Sequence, residues 1–161
     1  MELTAVYEAF GSDRTCNLVR SVSLGALRTF GVYEAIKVRS RLRTLNRQKL
    51  RAVAPRLWER IKDGDAGLAR DLSQAVLVSN IPLVVEVLDL LEIEHDGNGF
   101  FAKDGDYSSQ LSDGWEQRVF EHCKDRFDSD LVLLYINHLG WEMEALAEPF
   151  LEPTEAPVAA S

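Results

Sequence analysis

Four arginines stand at a regular interval, Arg39, Arg43, Arg47 and Arg51. On a helix, steps of four residues drift by only about 40°, so the four could form one ridge, widened by Lys37 and Arg41. Guanidinium forks match phosphate oxygens in pairs, and a row of them would give nucleic-acid binding that falls steeply with salt. The same spacing also describes a solvated helix face, or one paired with acids elsewhere in the chain. Overall charge favours that second description: the chain carries a net charge of −8 and a pI near 4.9, so nucleic acid is served only by a sharply local field.

The three histidines, His95, His122 and His138, invite a test for metal or acid–base chemistry. Glu92 and His95 make one Glu-x-x-His, and His138 and Glu142 are four apart on a helical pattern. A carboxylate-bridged di-metal site needs two Glu-x-x-His pairs and further carboxylates, and zinc sites need more matching ligands than these. The Asp and Asn residues at 96, 98, 104 and 106 do not keep the register of a calcium loop, whichever aspartate starts the count. No metal and no cofactor is therefore expected. Cys16 and Cys123 are too few and too far apart for a disulfide framework, and they read as reduced thiols. His122 and Cys123 are adjacent, which on a helix points them about 100° apart, so they make a poor nucleophile–base pair. No glycine-flanked serine elbow and no phosphate-cradling loop is present. If a pocket lies between helices, the polar groups placed to serve it are His95, Tyr135, Asn137 and His138.

The elements that must position these residues are helical. The stretch NIPLVVEVLDLLEI, residues 80–93, is apolar apart from Glu86, Asp89 and Glu92, whose three-residue spacing gives one narrow polar stripe on a helix. A helix so apolar must be covered nearly all round, and at about 20 Å it is too short to cross a bilayer. It is therefore expected to be the buried centre of the fold, opened by Asn80 with Pro82 in its first turn. Leu68-Ala69 and Leu72, then Val78-Ser79, Val84, Leu88 and Leu91, look loosely like the pattern of winged-helix regulators with 93–101 as the wing, but the gap from Leu72 to Ser79 is too long for the usual tight turn, and a recognition helix with acids and no Lys or Arg would repel phosphate.

Around that centre, residues 3–10 read as a short helix closed by Gly11, and a second runs from Leu18 to Tyr33. A third begins at residue 32 and changes phase near Thr44–Asn46. A fourth spans about 47–62, with a kink or restart expected at Pro55. Asp65 can cap the next helix. Asp96-Gly97 and Asn98-Gly99, between Ile93 and Phe100-Phe101, predict a small β-hairpin over 93–101. Asp113 and Glu116 predict a capping box opening a helix to about Phe127, and Asp128 or Ser129 opens the last one, whose apolar face is Val132, Ile136, Leu139, Met143 and Leu146. Pro149 is expected to stop it. The fold class is thus predominantly all-α, one domain over 1–148 built as a bundle of six or seven helices around 80–93, followed by a loose Pro-rich and acidic tail over 149–161.

Composition bounds the function without naming it. The chain has 161 residues, 46% apolar and 27% charged, as an ordinary globular protein does, and can bury roughly 70% of its unfolded surface without a metal or disulfide. Residues 1–62 carry 13 Lys and Arg against 5 Asp and Glu, a net of +8, which leaves −16 for the remainder. The two halves can face each other, or the basic half can meet an anionic partner. The N-terminal residues lack the pattern of a secretory signal and no long apolar run is present, so a cytoplasmic location is expected, with no membrane partner. The reading that fits these features best is a non-enzymatic helical interaction or regulatory module, acting through protein contact or self-association as a homodimer. The alternatives are nucleic-acid binding through the basic segment 37–51, and a small-ligand binder or enzyme with a pocket between helices.

Overall fold

The computed structural model describes residues 1–40 and 44–152, the side chains of 37–40 excepted. Among the described residues the chain forms eight α-helices: α1 (Leu3–Arg20), α2 (Leu24–Thr29), α3 (Val32–Ser40), α4 (Arg47–Lys62), α5 (Ala66–Val78), α6 (Ile81–Leu90), α7 (Trp115–Cys123) and α8 (Ser129–Glu142). Short side chains set four of the starts by accepting an amide that the first helical turn leaves without a partner. Ser23 accepts from Ala26 N at 3.1 Å, Asn46 from Lys49 N at 2.9 Å, Asp65 from Leu68 N at 3.0 Å and Asp128 from Asp130 N at 3.0 Å. Two expected starts differ. Asn80 precedes α6, but its amide donates backward to Val76 O at 2.7 Å and to Ser21 Oγ at 3.3 Å, so it closes α5, and the chain bends by 88° between α5 and α6. Asp113 forms no capping box, because Gly114 at φ +81° takes the N-cap position of α7 with no side-chain cap.

Interior breaks fall partly as expected. Gly11, at φ +80° and ψ 174°, is non-helical within α1, so the helix over its first residues closes there and a second continues to Arg20 beyond a kink, where Thr15 Oγ1 donates to Gly11 O at 2.9 Å. Helix α4 runs unbroken through Pro55, which is solvent-exposed, while Leu50, Val53, Ala54, Leu57 and Ile61 bury the opposite side. Water can reach the backbone on Pro55's side, so the missing N–H need not stop the helix there.

The centre lies in α8, not in residues 80–93. All nine residues from Val132 to Gly140 are buried, and α8 packs against α1, α5 and α7. Residues 131–141 contain no Asp, Glu, Lys or Arg, so no side chain on this stretch demands water. In α6 only Leu83, Val84, Val87 and Leu88 are buried, and Asp89 and Leu90 are exposed. Glu86 and Asp89 hold one side of α6 at the surface, which turns an apolar run into a half-covered helix. One cluster of buried apolar side chains extends from Leu3 to Leu139 and includes α4 and α5, whose Leu57, Ile61, Leu72 and Val76 pack with it.

The hairpin expected over 93–101 is absent, and no strand occurs among the described residues. Helix α6 instead ends in a reversal centred on Glu92 at φ +57°, where Ile93 N donates to Leu88 O and Glu92 N to Asp89 O. That pattern satisfies the last carbonyls of a helix and requires an apolar residue just past the turn to pack inward. Ile93, 2% exposed, fills that role and is therefore not free to pair as a strand. The same device ends α8: Glu144 lies at φ +52°, Ala145 N donates to Gly140 O at 2.8 Å, and Leu146 folds back over Gly140. Helix α8 thus stops at Glu142, ahead of Pro149. The tail over 153–161 lies outside the described residues.

Candidate functional site

Tyr135, His138 and Glu142 occur at steps of three and four on α8, so they share one helix face. That face looks into a pocket of about 130 Å³ bounded by Leu77 and Val78 of α5, Ile81 and Val84 of α6, and the 98–103 loop, which contributes Phe100, Phe101 and Lys103. The loop is held there by Asp96, whose carboxylate accepts from Asn98 N at 2.8 Å and Phe100 N at 3.1 Å while its own amide donates to Phe100 O at 3.0 Å. Those amides, Asn98 first, hold the Asp96 carboxyl below the usual carboxylate range. Gly99 at φ +91° lets the backbone lie directly on α6, since a Cβ there would come within 2.7 Å of Val84 Cγ1. Phe100 is left 70% exposed at the mouth.

The polar groups at the pocket are unusual in what they lack. Tyr135 is 3% exposed and His138 7% exposed, and among the described residues neither the Tyr135 hydroxyl nor either His138 nitrogen has a hydrogen-bond partner. His138 Nδ1 stands 3.9 Å from Glu142 Oε2, an electrostatic distance too long for a hydrogen bond. Glu142 Oε1 is in turn bound by Lys103 Nζ at 2.6 Å. Burial holds the His138 pKa below its ordinary value against the pull of Glu142, with the Lys103 ammonium adding to the lowering, so the imidazole is neutral at neutral pH. Burial likewise raises the Tyr135 phenol, and Glu142 raises it further, so it stays a hydroxyl.

Of the four pocket residues expected from sequence, the structure brings two together. Tyr135 and His138 line the same pocket. His95 does not: its Nε2 pairs with Asp89 Oδ1 at 2.7 Å and its Nδ1 accepts from Gly97 N at 3.0 Å, which anchors the turn. Asn137 faces away. It donates to Leu133 O and Phe150 O and accepts from Phe150 N, each at 2.8 Å, tying the C-terminal segment onto α8. Lys103, Phe100 and Phe101 were missed as site residues. An aromatic pair set in a polar loop was the available signal, and the hairpin expectation absorbed it.

The basic candidates that the structure describes divide between two helices. Arg39 belongs to α3, with its side chain outside the described residues, and Arg43 lies wholly outside them. Arg47 and Arg51, on α4, line a groove of about 250 Å³ with Asp13, Cys16 and Arg20 of α1. Arg47 Nη1 is already engaged, donating to Arg20 O at 2.9 Å and Val22 O at 3.2 Å, where it closes the end of α1. On another face, His122 Nε2 lies 2.9 Å from Glu86 Oε1, and Arg126 also donates to that oxygen. The His122 hydrogen bond, before the Arg126 charge, holds Glu86 below the usual carboxylate range. Cys123 beside them is fully covered, and burial pushes its thiol up to about 11, so it is a poor nucleophile. No group of three or more His, Cys, Asp or Glu able to hold a metal occurs among the described residues, and no single helix is long and apolar enough to cross a membrane. Comparison with known proteins finds no matching family model, no matching curated protein and no matching solved structure. The pocket and the groove must therefore be judged on their own geometry.

Proposed function

We propose that this protein binds a small, largely apolar molecule in the pocket between α5, α6, α8 and the 98–103 loop. One observation carries the reading: a buried phenol and a buried neutral imidazole on one helix face, neither bonded by the protein. Leaving such a group unpaired costs about 1–3 kcal/mol each, and folds rarely tolerate it where nothing is to be bound. The arginine groove has no comparable feature, since its arginines are exposed and Arg47 is engaged with backbone carbonyls. A mostly apolar wall with a few convergent polar groups is what small-molecule sites share.

The test is a ligand-observed NMR screen of ring-sized fragments against the full chain, repeated with Val78→Trp. Val78 is 45% exposed at the rim, so a larger side chain there blocks the mouth without entering the core. Binders are expected that raise the melting temperature of the wild-type chain and lose their effect on the variant. A screen with no binder at millimolar concentration removes the proposal.

Contact with a protein partner or a second copy is a second reading, supported by the exposure of Val78 and Phe100 on the pocket rim. It predicts concentration-dependent association in sedimentation experiments that Phe100→Ser abolishes. Strictly monomeric behaviour in both chains, at concentrations where the screen finds ligands, leaves self-association without support.

A further inference from the structure

We infer that the groove between α1 and α4 binds a phosphate group, free or as a monoester, through the guanidinium forks of Arg20, Arg47 and Arg51. This groove shares no lining residue with the pocket between α5, α6 and α8, so the two proposals stand or fall separately.

Charge that folding leaves unpaired carries the argument. Residues 1–62 hold a net of +8 beside a strongly acidic remainder. Among the described residues, the cations of that basic half that form ion pairs are Arg14, with Asp130 and Glu152, and Arg60, with Asp65. Arg20, Arg47 and Arg51 form none there, and all three are exposed. They are also rooted close together. Arg47 and Arg51 are one turn apart on α4, and Arg47 Nη1 donates to the backbone carbonyl of Arg20 at 2.9 Å. Like charges on neighbouring turns repel, and an anion set among them relieves that repulsion. The acid lining the groove is Asp13, which is exposed and pairs with none of the three. Three guanidiniums against one carboxylate leave a local net of +2 in a chain whose net charge is −8.

Arg47 supplies a fork oriented in advance. Its Nη1 donates to Arg20 O and Val22 O, which fixes the guanidinium, while its Nε and Nη2 hydrogens have no partner among the described residues. Less side-chain freedom is then lost when it takes an oxyanion. The open setting, unlike that of the α8 pocket, suits a strongly hydrated ligand that keeps part of its water.

Ligand class follows from charge and acceptor count. A carboxylate has one charge and two oxygens, which a single fork satisfies. A phosphate monoester carries a charge of about −1.5 to −2 and three acceptor oxygens, which matches the local charge and engages more than one fork. Nucleic acid fits less well. Among the described residues no aromatic side chain lines the groove to stack a base. Arg56, farther along α4, lines a different groove with Glu59 and Asp63, so the described cations do not continue as a strip.

Nitrogen-15 NMR titration of the full chain at constant ionic strength tests this, with inorganic phosphate, phenyl phosphate, acetate and a short oligodeoxythymidylate as probes. Phosphate is expected to shift amides of α1 and α4 that border the groove, with acetate about fivefold weaker or more. Arg20→Gln and Arg51→Gln remove forks without protein partners, so melting curves should stay unchanged while phosphate weakens about fivefold in each, the upper range for an exposed charge pair. Asp13→Asn removes the opposing charge and should tighten phosphate about twofold. Phenyl phosphate binding tighter than inorganic phosphate assigns an ester, and equal or weaker binding assigns the free ion; both uphold the phosphate class. No shift with either phosphate at millimolar concentration, affinity unchanged in both arginine variants, or acetate binding as tightly as phosphate overturns the inference. So does an oligonucleotide that binds far tighter than phenyl phosphate, which would make this face a nucleic-acid surface.

Discussion

Tyr7 and Tyr135 are both buried, both on helices that pack against α5, and both carry a hydroxyl raised above the ordinary phenol range by burial. Around Tyr7 the polar groups are complete. Ser73 gives its proton to Ala69 O at 2.7 Å, so Tyr7 donates to Ser73 Oγ at 2.8 Å, and Trp58 Nε1 donates to Tyr7 O at 2.8 Å. Around Tyr135 they are not: its hydroxyl and both nitrogens of His138 have no protein partner among the described residues. The set formed by Tyr7, Ser73 and Trp58 thus holds itself together, while farther along α1 a buried Arg14 Nη1 has no hydrogen-bond partner among the described residues. Tyr135 and His138, on the pocket side of α8, are left without protein hydrogen-bond partners among the described residues, and the proposed ligand site rests on that difference. Asn137 shows the contrast within one helix, since it is buried between these groups in sequence and makes three hydrogen bonds.

The largest expected effect therefore belongs to a satisfied group. Asn137→Ala removes all three side-chain bonds, strands Phe150 N and Phe150 O, and opens a small void, so urea unfolding should show a loss of about 2–4 kcal/mol. A loss below 1 kcal/mol would mean that the C-terminal segment is not held by Asn137, and the contrast with His138 would weaken. Next comes the loop that closes the pocket. Gly99→Ala places a methyl against Val84 and a side chain at φ +91°, and should cost about 1–2 kcal/mol while weakening ligand binding. Unchanged binding with reduced stability would separate the loop from the site.

Much of the helical framework is legible in the residues, while its centre is not. Ser, Asn and Asp at helix starts, and glycine at Gly31 and Gly64, mark boundaries through local chemistry that needs no tertiary partner. The choice of central helix depends on where charges can reach water. The apolar run at 80–93 suggests a centre, but Glu86 and Asp89 keep one side of α6 at the surface. The uncharged stretch 131–141 was the better signal, because its polar members, Tyr135, Asn137 and His138, are all neutral. The hairpin failed for a similar reason: Asp-Gly and Asn-Gly fix turns, but whether the flanking Ile93 pairs or packs is settled by the helix before it. Tyr135 and His138 were legible only as two of four pocket candidates, alongside His95 and Asn137. Their lack of partners was not, since an absent bond is a property of every neighbour in the fold.

A pH titration sharpens the comparison at the next scale down. Burial, with help from Lys103 and against Glu142, lowers the folded pKa of His138 from its ordinary 6.5. As pH falls through about 6.5 the unfolded chain takes up a proton that the native chain refuses, so native stability falls in acid, by up to about 1.4 kcal/mol per pH unit for one such group. His138→Leu should flatten this limb between roughly pH 6.5 and the lower folded pKa, measured by urea midpoints across the range. An unchanged slope in that variant would show that His138 protonates freely when folded, and the buried neutral imidazole on which the proposed site rests would be lost.

The smallest effects are the most discriminating. Tyr7→Phe deletes a hydroxyl that donates to Ser73, leaving Ser73 Oγ with one fewer partner in a dry interior, and should cost about 1 kcal/mol. Tyr135→Phe deletes a hydroxyl with no partner to lose. In the absence of ligand it should leave stability within about 0.5 kcal/mol of wild type or raise it, because a buried polar group is replaced by hydrogen in the same ring volume. Both substitutions remove the same atom from the same residue type at matched burial, so transfer and packing contributions largely cancel between them. What remains is the presence or absence of a protein partner. A binder from the fragment screen should then raise the melting temperatures of wild type and Tyr7→Phe alike, since Tyr7 does not line the pocket. Equal losses for the two variants without ligand would mean the Tyr135 hydroxyl is bonded in the free protein, and the pocket would then hold nothing in reserve.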